Sequence, residues 1–332
     1  MPVILSDDEI WKAVIRYGKN QSTYKMALGN LLIGYAQKNK AQITLDELTN
    51  DFFNSYKNRM KNGQRQNKTK GKTTYVEQEV WAVNEDGTPK SKSLENIKQK
   101  ALKDMVLQRF NAIQNKKLPE PFYTFDERNL YLNDNLLSVF SVKENAFLND
   151  HVLSRWSMLE HAFSEPEFAD TLTVDEKKEH FRNKKTRTNI TKFRDALSGY
   201  QSDACFYCGG QIYGNSEVDH VIPHKVVGHD DIWNLVLAHE FCNQEKSDKM
   251  PSKKFVERLI SRNEDIFHSD LPLKEHLKLV AGDTPKKRYE QIKKLYQKGL
   301  KFNLGKYDPT VEDGFSNEFL YGKVIRWYDN LQ

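Results

Sequence analysis

Cysteine is scarce in this chain, and the scarcity is informative. Three cysteines occur among 332 residues, all between positions 205 and 242. That excludes a framework of disulfides and leads us to expect a reducing, cytoplasmic setting. Long apolar runs are missing too. No stretch approaches the roughly eighteen consecutive apolar residues of a membrane-spanning helix. The N-terminal apolar run is only Val3-Ile4-Leu5 with acids soon after, which does not read as a signal peptide. Charge of one sign is in small excess: net +5, with an isoelectric point near 8.8. This permits a nucleic-acid partner without establishing one. Internal repeats and low-complexity tracts are absent. With 38% hydrophobic and 29% charged residues, the chain belongs to the soluble globular class and is long enough for two domains or three small ones.

What is present is concentrated between Cys205 and Asn243, CFYCGGQIYGNSEVDHVIPHKVVGHDDIWNLVLAHEFCN, which holds all three cysteines and four of the nine histidines. Two residues separate Cys205 from Cys208, and two separate His239 from Cys242. Such a gap lets both side chains of a pair face one tetrahedral site, and two pairs complete a Cys3His zinc site. The competing reading is three reduced core cysteines, common for free cysteine, but the paired spacing favours metal. Thirty residues lie between Cys208 and His239, more than a plain zinc ribbon uses, so something further must be built there.

In that interval, Glu217-Val-Asp-His-Val-Ile222 reads as a short strand after a Gly214-Asn215 turn, ended by Pro223. Asp219 and His220 are adjacent, and strict alternation sends them to opposite faces. They serve one site only if the strand twists or stops there. Asn234 precedes an apolar run, Leu235-Val236-Leu237. On a helix after Cys242, Asn243 and Lys246 share a face.

CxxC, DHxxP, NLVLA, then CN and Lys in this order resemble the HNH endonuclease family of the zinc-stapled ββα-metal kind, over roughly residues 196 to 262. The resemblance implies a role for each matching residue. His220 is the expected general base that activates water against a phosphodiester. Asp219 and Asn243 are the expected ligands of a catalytic Mg²⁺ or Mn²⁺. Asn234 is expected to brace the loop that holds the histidine. Cys205, Cys208, His239 and Cys242 are expected to hold structural Zn²⁺, with His239 where the family more often has cysteine. Asn243 stands where the family has His or Asn; its amide oxygen is a weaker ligand than imidazole but suits a hard cation. A histidine near its ordinary pKa can take a proton at neutral pH. Lys246 reads equally as a phosphate contact and as part of a solvated helix face. His224 and His229 read as surface or loop residues. Glu217 shares strand parity with Asp219 and could join the metal site, but reads better as an exposed strand carboxylate.

Elsewhere the reading is mainly helical. Capping boxes at Ser6–Glu9 and Thr44–Glu47 open helices, and a third covers about 22–38. Three such helices suit a helix-turn-helix-like module and equally any helical cluster. Lys57, Arg59, Lys61, Arg65, Lys68, Lys70 and Lys72 follow with no acid among them, either a flexible loop for a phosphate backbone or a solvated linker. Residues 73–82, TTYVEQEVWA, read as a strand. With helical periodicity over 94–114, this region is loosely winged-helix in character. A helix near 143–163 leads to a charged helix over 174–194, where Lys184, Lys185 and Arg187 are candidate nucleic-acid contacts. An amphipathic basic helix covers Lys286–Lys301, and the aromatic tail is expected to dock on the body.

The expected fold class is therefore mainly α with a small α+β module. The expected divisions are 1–140 for target recognition or a partner, 141–195 as a basic connector, 196–262 as the nuclease module and 263–332 as a helical extension. The resemblance implies a DNA endonuclease, with double-stranded DNA as partner and a role in restriction or anti-phage defence. An RNA-directed nuclease or toxin, a subunit of a defence complex that needs its partner, and a homodimer stay open. No membrane partner is expected.

Overall fold

Threonine, serine and acidic residues at helix starts set several boundaries of this fold. The computed structural model describes residues 3–62, 65–69, 71–141, 147–164, 194–201, 204–269, 273–311, 315–316 and 318–331. The helix Asp7–Tyr17 opens on the Ser6–Glu9 capping box. At Leu45–Arg59, the Thr44 Oγ1 accepts from Glu47 N at 3.2 Å. The same device corrects the strand expected at 73–82. Tyr75–Trp81 is a helix opened by a capping box between Thr74 and Glu77, with Glu77 N donating to Thr74 Oγ1 at 3.1 Å. Val76 and Val80, one turn apart, point inward. The pattern that looked alternating is a short amphipathic helix, and the winged-helix reading loses its strand.

The described residues fall into two compact units, one spanning Ile4–Pro166 and one spanning Glu167–Gln332 with Met1–Val3. In the first unit, aromatics fill the space between helices. Trp11 meets Phe122 and Phe140 edge-on, with ring centroids 5.3 and 5.2 Å apart. Tyr56 packs against Trp156 at 5.4 Å. A small antiparallel sheet runs in the order Gln42–Thr44, Asn129–Leu132, Tyr123–Phe125. The helix Ser91–Asn96 continues as a π-helical stretch, Ile97–Val106, and a last turn, Leu107–Arg109. It stops there rather than at 114, and Ala112–Ile113 pairs with Lys116–Lys117 as strands.

The basic run after residue 57 is not a free loop where it is described. Lys57 Nζ donates to the Gly87 carbonyl at 2.5 Å. Arg59 forks onto Glu160 at 3.0 and 2.8 Å, and Arg65 Nη1 donates to Phe163 O at 2.8 Å. Buried Gln66 ties the segment down. Its Oε1 accepts from Thr23 Oγ1 at 2.6 Å and from Trp156 Nε1 at 3.0 Å, and its Nε2 donates to Glu160 at 2.7 Å. A buried network satisfied in this way fixes its backbone.

The second unit is arranged around the helix Lys253–Phe267, which packs against Leu273–Ala281, Pro285–Leu300 and Leu320–Asn330. Its fully buried Arg262 reaches the connection that leads into the second strand of the hairpin described below. The aromatic tail docks as expected: Tyr321 N donates to Asp265 Oδ1 at 2.9 Å, and the Arg258 guanidinium lies 4.3 Å from the Phe315 ring and 5.1 Å from that of Phe319. The architecture is mainly helical with a small α+β module. Among the described residues, no helix is long and apolar enough to cross a membrane. Lys184, Lys185 and Arg187, with most of the expected 174–194 helix, lie outside the described residues.

Candidate active site

The cysteine pair at 205 and 208 sits on a tight turn. Cys205 N donates to Gly210 O at 2.8 Å and Gly209 N to Cys205 O at 3.0 Å. Gly209 has φ +87°, and a Cβ there would come within 3.3 Å of Phe315, so this turn position favours glycine on two counts. His239 caps the helix Glu240–Lys246 in extended conformation, which places Cys242 one turn on. The four ligand atoms of Cys205, Cys208, His239 and Cys242 lie within 4.8 Å of one another. His239 Nδ1 is 3.4 Å from Cys208 Sγ, while its Nε2 faces Gln211 O at 3.1 Å. An outer hydrogen bond of that kind fixes Nε2–H and leaves Nδ1 as the ligand. Burial raises the Cys208 thiol, and burial with the neighbouring cysteines pushes Cys242 far up. Thiols this close ionise only when a cation compensates them. Three soft sulfurs and one imidazole fit zinc.

Between the pairs, Glu217–His220 and Leu235–Ala238 form an antiparallel hairpin with Asp219 opposite Val236 and His220 opposite Leu235. The hairpin is tied to the cysteine turn by Phe206 N donating to Leu237 O at 2.9 Å. Gln201 clasps the same Leu237 backbone, its Oε1 accepting from Leu237 N and its Nε2 donating to Leu237 O, both at 2.9 Å. The strand stops at His220, as the sequence required if Asp219 and His220 were to serve one site. Asn234, fully buried, spans the turn beyond it: Oδ1 accepts from Ile222 N at 2.9 Å and Nδ2 donates to Ile222 O at 2.7 Å. Arg262 collects the carbonyls of Leu235, Trp233 and Ile232 at 2.7, 2.9 and 3.2 Å. Burial lowers its pKa to about 9, still a cation at pH 7.

His220 pairs with Asp230, its Nε2 2.9 Å from Asp230 Oδ1. With Asp230 accepting the Nε2 proton, the Nδ1 lone pair is the basic one. Burial pulls the His220 pKa below 6.5, against the opposing pull of Asp219 and Asp230, so the ring is neutral at pH 7. His224 packs edge-on to His220 at 5.3 Å, its Nε2 3.7 Å from Asp230. His229 Nδ1 lies 3.1 Å from Asp231 Oδ2, and its ring packs against Trp233. Asp230 was missed in the sequence. Its signal was an Asp230-Asp231 pair after Gly228, too short in range to name a partner.

Of the two readings of Lys246, a phosphate contact and a solvated helix face, its burial removes the second. The side chain is fully buried, with Nζ 3.1 Å from Asp219 Oδ2, 2.6 Å from His220 O and 3.3 Å from Ser247 O. The Tyr207 hydroxyl donates to the same Asp219 Oδ2. Burial and Asp219 hold the Tyr207 pKa well above 10, so it stays a donor. Glu217, expected to be exposed, is half-buried and accepts from Asn243 Nδ2 at 2.5 Å. One ammonium thus binds both the Asp219 carboxylate and the His220 backbone, while Asn243, one turn earlier on the same helix, is held by Glu217 of the strand.

Neither the curated proteins nor the solved structures give a match to this chain. Residues 205–252, which carry both the metal-binding cluster and the hairpin, match the family model of the HNH endonucleases, and an HNH domain is therefore present in the chain.

Proposed function

We propose that this protein is a metal-dependent endonuclease that hydrolyses phosphodiester bonds of double-stranded DNA, acting in restriction or in defence against foreign DNA. The observation that carries the reading is the His220–Asp230 pair at the end of the strand that also bears Asp219. Hydrolysis needs a base for the attacking water. Asp230 accepts the Nε2 proton and orients the ring, and His220 Nδ1 takes the proton of the water as its oxygen attacks phosphorus. Burial keeps that nitrogen unprotonated at neutral pH. A positioned base of this kind contributes ~10²–10⁴-fold in rate.

Asp219 and Asn243 offer a carboxylate and an amide oxygen, a hard donor set that fits Mg²⁺ or Mn²⁺. A cation bound there supplies charge neutralisation to the phosphate and to the leaving oxygen. Asn234 fixes the turn after His220, and the zinc cluster staples the two ends of the module. The mildly basic chain suits a polyanionic substrate. The defence role rests on the resemblance to stand-alone HNH proteins of bacteria and phages.

The test is a parallel digest of supercoiled plasmid and of RNA by the purified full chain in Mg²⁺ or Mn²⁺. Cutting of DNA with RNA left intact is the expected result. RNA cutting with intact DNA moves the substrate to RNA. Inertness toward both, with zinc bound, contradicts a self-sufficient nuclease.

A further inference from the structure

Asp219 and Asn243 each have one side-chain atom already engaged by the protein. Asp219 Oδ2 takes the Tyr207 hydroxyl and, at 3.1 Å, the Lys246 ammonium. Asn243 Nδ2 donates to Glu217 Oε2 at 2.5 Å. The groups doing this are firmly held. Tyr207 is fully buried, its ring edge-on to Phe255 at 5.4 Å and to Tyr307 at 5.3 Å. Lys246 is fixed by two further carbonyls. Glu217 sits on the paired strand opposite Ala238.

These contacts have a directional consequence. A carboxylate with two donors on one oxygen has only the other oxygen to offer. An amide whose nitrogen is committed to a carboxylate has its carbonyl oxygen turned the other way. Partners of this outer kind determine how ligands present themselves to a metal.

We infer that Tyr207 and Glu217 are positioning residues that preset Asp219 Oδ1 and Asn243 Oδ1 as donors for a hard divalent cation, with Asp219 binding through that single oxygen. This rests on the nuclease reading's oxygen site and adds residues which that reading does not use. Lys246 shares the work on Asp219 by occupying the oxygen through which the carboxylate would otherwise chelate. Glu217 acts through the Asn243 amide, not as a ligand itself.

The test reads metal binding rather than cleavage. The DNA-free full chain, loaded with zinc, is titrated with Mn²⁺, and free Mn²⁺ is followed by electron paramagnetic resonance. Asp219→Asn identifies the signal of the site. Tyr207→Phe and Glu217→Ala are expected to bind Mn²⁺ about tenfold more weakly or worse, with zinc content unchanged. Glu217→Gln keeps an acceptor for the Asn243 nitrogen and is expected to stay within about threefold of wild type, a loss well short of that from deleting an outer partner. Because Glu217 is half-buried, its variants keep the test decisive even if Tyr207→Phe does not fold. Wild-type affinity in Tyr207→Phe and Glu217→Ala overturns the positioning role while leaving the oxygen site standing. A loss in Glu217→Gln as large as in Glu217→Ala overturns the orienting role in favour of direct ligation. A wild-type chain with no Mn²⁺ site removes both the oxygen site and this inference.

Discussion

An ammonium and a carboxylate buried together, as Lys246 and Asp219 are, stabilise each other only as a pair. Their side chains are 1% and 11% exposed. Removing one partner leaves an uncompensated buried charge, which costs about 3 kcal/mol or more. Lys246→Met is therefore expected to lower unfolding free energy by about 3 kcal/mol in urea, measured with zinc saturating. A change within about 0.5 kcal/mol, the range of ordinary surface substitutions, contradicts the buried pair. At this scale the sequence was legible where the residue type and its spacing carry the chemistry. Cys205, Cys208, His239 and Cys242 could be grouped because two residues separate each pair, and the structure brings their ligand atoms together. Asp230 and Tyr207 could not be assigned, since their partners are set by how the loop and the cysteine turn fold back on the strand. For Lys246, the three-residue spacing from Asn243 told the face of the helix but not that this face is covered.

Among elements, the hairpin Glu217–His220 with Leu235–Ala238 holds only four residues a side, and an isolated two-stranded ribbon is marginal in water. Its stability comes from what clasps it: the cysteine turn, Gln201, Arg262 and the helix that carries His239 and Cys242. Zinc held by Cys205, Cys208, His239 and Cys242 would join two of these clasps, and structural zinc contributes on the order of 10 kcal/mol in small zinc peptides. Stripping zinc with a strong chelator is expected to expose amides of residues 205–246 to hydrogen exchange while those of 24–37 stay protected. Equal protection with and without metal sinks the staple. A second element-level prediction concerns the tail. The His268 ring stacks on Tyr321 at 3.9 Å, and burial, then Lys274 and Arg288, lower its pKa from 6.5 to about 4. The unfolded chain takes this proton first. The contribution to stability is therefore complete above pH 6.5 and is lost as pH falls toward about 4. Protection factors over residues 320–330, corrected for the intrinsic slowing of amide exchange in acid, are expected to fall across that window, and His268→Gln to flatten the dependence. The helix at Tyr75–Trp81 shows why element type was misread at 73–82. Over so few residues, alternation and a helical face coincide, and the Thr74–Glu77 capping box decides between them.

At the scale of the whole molecule, two compact units share one chain, and the one spanning Glu167–Gln332 carries the Cys3His cluster and the hairpin. Mainly helical architecture was legible from capping boxes and helical periodicity. The first unit's task was not, because its order comes from aromatic packing and from the buried Gln66 network, neither of which names a ligand. Three of the seven basic residues in its run, Lys57, Arg59 and Arg65, are bound within the unit, so charge counted along the sequence overstates what is offered to a polyanion. The central claim therefore rests on His220. The measurement that tests it most directly is cleavage of supercoiled plasmid in Mg²⁺ by wild type and by His220→Ala, each carrying one zinc per chain. The account predicts metal-dependent cutting by wild type, abolished by EDTA, and a fall of ~10²-fold or more in the variant. Equal cutting by the two proteins would contradict it.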